Sequence, residues 1–221
     1  MGTHLTLTAS DGHSFDAYRA DPVGTPKGGI VVIQEIFGVN HHIRSVADRF
    51  AALGYVAIAP ALFDRIERGF ECGYSAEDVQ KAMTFVANPP FQGWILDVAA
   101  ARDAIADVGK IAVTGFCLGG TLAYAAAANL PGFSVAVGYY GGMIVKMLDQ
   151  TPQIPTMLHF GEKDAHIPMS DVAAIKAAQP DVEVYTYDAD HGFQCDERGS
   201  FAPEAAQIAW GRTLRFIDSH M

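Results

Sequence analysis

The stretch Gly115-Phe116-Cys117-Leu118-Gly119-Gly120 places one thiol among glycines, at the junction of two contrasting patterns. Before it, Ile111-Ala112-Val113-Thr114 has the β-branched, apolar character of a short buried strand; after it, Leu118 to Ala128 reads as a helix of small residues. A chain that passes from strand to helix this abruptly needs glycine for the sharp turn and for close packing of the helix on the strand. It also lifts the central side chain to a helix N-terminus, where the dipole and free N–H groups favour a thiolate and a developing oxyanion. The spacing G-x-Nuc-x-G therefore nominates Cys117 as a nucleophile. Two competing readings are a small buried hydrophobe in a glycine-rich turn and a phosphate-binding turn. The second is the weaker, because no Gly-Lys-Ser/Thr follows.

A nucleophile of this kind needs a base, and the base needs an orienting acid. Asp190-His191-Gly192-Phe193 follows the strand-like Val182 to Tyr187, and Gly161-Glu162-Lys163-Asp164 follows the strand-like Pro155 to Phe160. Singly, these are an ordinary loop histidine and a turn aspartate. Together with Cys117 they give the order nucleophile, acid, histidine, each just after a separate strand, which is the chain order of α/β-hydrolases. Asp164 is preferred over Glu162, since a triad acid must be short and firmly held. Gln34-Glu35-Ile36-Phe37-Gly38 follows the first buried run, Gly29 to Ile33. A carboxylate there must be paired or functional, because burying it free costs several kcal/mol; Arg44 or Arg65 is the structural alternative as partner. The N–H groups of Ile36 and Leu118 are candidate oxyanion donors. Phe37, Tyr139 and Tyr140 are candidate pocket residues.

These residues can meet only if the chain supplies the right frame. Leu5 to Thr8 and Ser14 to Tyr18 alternate around Asp11-Gly12, a hairpin signal. From Gly29 onward, apolar strand runs alternate with helical patterns: a helix from His42 to Leu53, a strand from Tyr55 halted at Pro60, and helices opening at Ser75 and carrying Trp94, Val98, Ala101 and Ile105. A strand over Ser134 to Val137, a helix over Ser170 to Ala178 and a last helix from Pro203 complete the pattern. The expectation is one α/β domain over residues 1–221, with a mostly parallel central sheet, helices on both faces and an N-terminal β-hairpin. Ligands of such sheets bind beyond the carboxyl ends of the strands, where Cys117, Asp164 and His191 fall.

Composition narrows the partners. The chain of 221 residues has a formal net charge of −10 and only 15 Lys and Arg, which argues against a nucleic-acid surface. No apolar run is long enough for a membrane span, and the first residues lack a signal-peptide layout. Cys72, Cys117 and Cys195 are odd in number and contain no CxxC pair, which suits free thiols and a reducing cytoplasm. His41 and His42 are adjacent and diverge, and no metal-ligand spacing occurs, so neither metal nor other cofactor is expected. The partner expected is a small ester or lactone; oligomeric state is left open.

Gln34-Glu35-Ile36-Phe37-Gly38-Val39-Asn40, Gly115-Phe116-Cys117-Leu118-Gly119-Gly120, Tyr139-Tyr140-Gly141 and Asp190-His191-Gly192-Phe193 together resemble the dienelactone hydrolase family, the carboxymethylenebutenolidases, from about Ser10 to Ile217. The resemblance implies an α/β-hydrolase fold and a Cys117–His191–Asp164 triad acting through an acyl-enzyme. It also implies a role for Glu35 in holding or receiving the thiol proton. Where that family carries a carboxylate-gripping arginine four residues after the histidine, this chain has Cys195, with Arg198 three further on; Arg65 and Arg68 lie in the rearranged segment where another would be sought. A reading from a different class is a non-catalytic or thiol redox-sensing protein on the same scaffold, with Cys117 merely oxidisable.

Overall fold

Around Asp11-Gly12 the chain does turn back on itself. Gly12 takes φ of 85°, and the Asp11 side chain accepts the N–H of His13 at 3.1 Å. The arms are β1 (Thr3–Thr8) and β2 (Ser14–Ala20), antiparallel, with Leu7 opposite Phe15 and Thr6 opposite Asp16. The computed structural model describes residues 2–221, and contacts divide the chain after Ile111 into two compact units.

The first unit orders its strands β1-β2-β4-β3, with β3 (Gly29–Ile33) and β4 (Val56–Pro60) parallel and β2–β4 antiparallel. Every residue of β3 and β4 is buried, which explains their unbroken apolar sequence. Pro60, expected to halt β4, is its last residue and sits opposite Ala17. Helix α1 (His41–Ala52) starts where the Asn40 side chain accepts the N–H of Ile43 at 3.3 Å, and it buries Ile43, Val46, Ala47 and Phe50. Helix α2 (Ala76–Val86) opens with a Ser75–Asp78 capping box. Helix α3 (Phe91–Asp103) buries Trp94, Ile95, Val98 and Ala101. Ile105, expected on that same face, lies beyond the helix end and packs over Gly29, where an added Cβ would stand 2.8 Å from its Cδ1.

One ion pair holds this unit from inside. Asp97 on α3 is fully buried, and its carboxylate takes Nε of Arg65 at 2.7 Å and Nη2 at 2.8 Å. Arg65 reaches Asp11 of the hairpin turn at 2.8 Å with its remaining edge. Burial raises the affinity of Asp97 for a proton, and the guanidinium opposes that.

The second unit is regular. Its strands β5 (Ile111–Phe116), β6 (Val135–Tyr139), β7 (Thr156–Gly161) and β8 (Glu183–Tyr187) lie in chain order and all pair in parallel. Strands β5 to β7 are buried throughout, while β8 is outermost and partly exposed. Helix α4 (Leu118–Asn129) is buried from Leu118 to Ala127, which its run of Ala and Gly permits. At Gly120 the approach to β6 is so close that a Cβ would lie 2.3 Å from the carbonyl oxygen of Tyr139. Helices α5 (Met169–Ala178) and α6 (Pro203–His220) complete the unit, with Pro203 at the first turn of α6. No helix among the described residues is long and apolar enough to cross a membrane.

Two outcomes follow. Gly120→Ala forces backbone apart and should cost about 3 kcal/mol or more, whereas Gly142→Ala, whose nearest neighbour is 3.5 Å away, should cost under about 1 kcal/mol. Asp97→Asn removes one of the two carboxylates that hold the half-buried Arg65 and should destabilise by roughly 1.5–3 kcal/mol. Urea unfolding of the three variants beside the wild type checks both.

Candidate active site

Strand β5 ends at Phe116 and helix α4 begins at Leu118, so the whole reversal falls on Cys117. Its backbone is forced to φ 54° and ψ −112°. Only Cys117 and Tyr140 among the described non-glycine residues have positive φ. Such a conformation costs about 1–3 kcal/mol and persists where the surroundings over-determine it. Here they do: the N–H of Cys117 is held by the carbonyl of Tyr139 at 3.0 Å, and its carbonyl accepts the N–H of Thr121 at 3.2 Å. Glycine at 115 is needed because a Cβ would fall 2.1 Å from the carbonyl oxygen of Gly119. The expected elbow is present, with its thiol at the N-terminus of α4.

Asp164 lies in the loop after β7 and is buried. Its Oδ1 accepts the N–H of His166 at 2.8 Å, and its Oδ2 meets Nδ1 of His191 at 2.6 Å. Glu162, the competing acid, is exposed and instead accepts the Thr186 hydroxyl at 2.7 Å. His191 stands in the loop after β8, with its own N–H bonded to Asp190 Oδ1 at 2.6 Å. With Nδ1 taken by Asp164, the ring offers Nε2 to Cys117, to which it is hydrogen-bonded.

The electrostatics favour a charged ring. Burial alone would lower the His191 pKa, yet the neighbouring Cys117 sulfur and the Asp164 carboxylate outweigh it and raise the value to about 10. By contrast, burial, aided by Asp78, pushes the Cys72 thiol up to about 11, and Cys195 is fully buried.

Tyr140 walls this group. Its φ is 39°, its N–H bonds the carbonyl of His159 at 2.7 Å, and its ring centre lies 5.0 Å from that of His191 and 5.5 Å from Phe193. Tyr139 departs from the expectation of a pocket residue. Its side chain is fully buried and its hydroxyl meets Thr213 at 2.5 Å, so it serves through its main chain. His166, not singled out from the sequence, presents its ring edge-on to His191 at 5.4 Å. Its only signal was its place two residues after the acid.

Glu35, Ile36 and Phe37 belong to the first unit, just past β3. Glu35 is 1% exposed, and its carboxylate lies within 4.8 Å of a ring nitrogen of buried His42. Neither arginine considered as its partner is available. Arg44 bonds the Val39 carbonyl and Glu71, and Arg65 is tied to Asp97 and Asp11. Phe37 is buried edge-to-face on Tyr74 at 4.7 Å, and its carbonyl accepts the N–H of Cys72 at 3.1 Å. Arg68 is spent on Asp16 and the Ser14 carbonyl. Arg198 lies against Gly192, where a Cβ would be 2.4 Å from its Nη1; a cation therefore sits beside the His191 loop even though position 195 is a buried thiol.

Known proteins place this geometry. The family model for the "Dienelactone hydrolase family" matches residues 15–221. A Synechocystis protein named "Putative carboxymethylenebutenolidase" is 35% identical over 241 residues, covering 99% of this chain and 97% of its own. The "Carboxymethylenebutenolidase" of Pseudomonas putida is 28% identical, covering 96% and 94%. Among solved structures, the "Putative Dienelactone Hydrolase from Klebsiella pneumoniae" superposes with a TM-score of 0.84 at 29% identity, over 97% of this chain and 98% of that one. A Pyrococcus furiosus esterase, at 15% identity and a TM-score of 0.73, shares the fold. The chain therefore has the α/β-hydrolase fold and belongs to the dienelactone hydrolase family of hydrolases.

Proposed function

We propose that this protein hydrolyses a lactone or a small carboxylic ester through a Cys117–His191–Asp164 triad. The observation that carries the reading is the line from buried Asp164 through His191 to a thiol strained upright at the start of α4. Cys117 gives its thiol proton to His191 Nε2, its Sγ adds to the substrate carbonyl, and the carbonyl electrons move onto oxygen. The N–H of Leu118, first in α4 and so without an intrahelical acceptor, receives that oxyanion. Such a donor is worth roughly 3–4 kcal/mol. The tetrahedral adduct collapses, the C–O bond breaks, and the departing alkoxide takes the proton from His191 Nε2. A water then gives its proton back to Nε2 and attacks the thioester, releasing the acid and the thiolate. Asp164 holds the ring in place throughout.

Sequence resemblance further supports Ile36 N–H as a second oxyanion donor and Glu35 as the group that manages the thiol proton. The Cys117–His191 contact gives the reading its economy, since the base that must take the thiol proton already stands beside the nucleophile and is oriented by Asp164. A thiol sensor would have no use for a carboxylate-held imidazole. That Cys72, Cys117 and Cys195 are not joined in disulfides suits the reducing cytoplasm we propose as its location.

Hydrolysis of p-nitrophenyl acetate and of a dienelactone by the wild type and by Cys117→Ala tests the claim. Activity should fall about 10³-fold or more in the variant, with circular dichroism unchanged. Equal activity in both proteins would leave Cys117 a structural or redox thiol. A dienelactone rate no better than the acetate rate is the expected mark of Cys195 standing where the family's arginine is. Separately, imidazole NMR should find His191 still charged at pH 8, because its folded pKa is raised to about 10. Cys117→Ala removes the attracting sulfur, leaving burial to work against Asp164 alone, so the midpoint should move down.

A further inference from the structure

Behind the triad runs a line of polar side chains that the mechanism above does not use. Arg212 Nη1 donates to the Tyr187 hydroxyl at 3.0 Å. Tyr187 lies 2.8 Å from Nδ1 of His159, and Nε2 of His159 lies 3.0 Å from Thr213 Oγ1. Thr213 Oγ1 in turn meets the Tyr139 hydroxyl at 2.5 Å. Tyr139, His159 and Thr213 are all 0% exposed. An interior polar chain of this length is costly unless every member is satisfied.

Donor chemistry fixes its direction. A guanidinium can only donate, so Tyr187 accepts from Arg212, which leaves its own proton for Nδ1 of His159. Burial, aided by the nearby Arg212 charge, keeps His159 neutral by pushing its pKa down to about 3. A neutral ring that accepts at Nδ1 must carry its proton on Nε2 and donate to Thr213. The chain thus reads Arg212 to Tyr187 to His159 to Thr213, and it ends on Tyr139.

Its end is where the triad is mounted. The Tyr139 carbonyl holds the Cys117 N–H, and the adjoining Tyr140, strained at φ 39°, sets its ring against His191. His159 grips this pair twice. Its side chain reaches Tyr139 through Thr213, and its carbonyl accepts the Tyr140 N–H at 2.7 Å. We infer that His159 and Thr213 are positioning residues, holding Tyr139–Tyr140 so that Cys117 and His191 keep their reactive alignment. The inference rests on the triad reading given above.

The test compares Thr213→Val, Thr213→Ser and Tyr139→Phe with the wild type and Cys117→Ala, using p-nitrophenyl acetate. Misplacement of a reacting group by about 1 Å costs up to about 10²-fold. Thr213→Val and Tyr139→Phe should therefore lose about 10-fold or more in kcat with KM within about twofold, and Thr213→Ser should recover the rate. The rate of Cys117 alkylation by iodoacetamide should fall in parallel. Thermal unfolding of each variant separates this from loss of fold, and ring nitrogen NMR should find His159 neutral with its proton on Nε2. Full kcat in folded Thr213→Val, with Cys117→Ala inactive, would overturn the positioning role alone. A rate loss that Thr213→Ser does not restore would overturn it as well. Activity that survives Cys117→Ala would instead remove the triad on which the proposal stands.

Discussion

The left-handed backbone at Cys117 is the constraint around which the second unit is organised. An L residue resists that conformation, so everything near it must make the alternative worse. Gly115 and Gly120 remove the Cβ atoms that would collide with the carbonyls of Gly119 and Tyr139. Those missing side chains let α4 lie close enough to β6 for the Tyr139 carbonyl to take the Cys117 N–H. Strain at one residue is thus balanced by packing along a helix and a strand. The same contact that makes Gly120 irreplaceable also fixes the height of the thiol.

Charge is handled by burial in a comparable way. His191 lies between a carboxylate and a thiol in a largely dry setting, where attraction outweighs the cost of removing the ring from water. His159, on strand β7 itself, has hydroxyl partners at its ring nitrogens and a nearby guanidinium, and it stays neutral. Two histidines one strand apart therefore adopt opposite protonation states. The difference lies in what faces each ring.

The sequence exposed the frame well because the strands β3 to β7 are buried on both faces and so carry unbroken apolar runs. The grouping of Cys117, His191 and Asp164 was legible too, because glycine spacing and the strand-then-loop position of Asp164 and His191 are local patterns. What escaped was non-local. Nothing near Thr213 in the chain marks it as the partner of His159, 54 residues away. Arg65 could be weighed as a partner for Glu35 only because its true partner, Asp97, is 32 residues on, in another helix. Tyr139 and Tyr140 look alike in sequence and both are fully buried, yet the first bonds Thr213 and the second, at positive φ, sets its ring against His191.

Arg212 has a second consequence. Strand β8 closes the series β5 to β8 and leaves one flank without a neighbouring strand, the kind of edge on which chains of the same sequence add to one another. Arg212 lies 4.1 Å over the ring of Tyr185 on that strand, and Glu183 stands at its start. Charges of both signs therefore lie on and beside the outermost strand, a feature that discourages edge-to-edge association. One guanidinium thus donates into an interior hydrogen-bond chain and puts a positive charge beside the outermost strand.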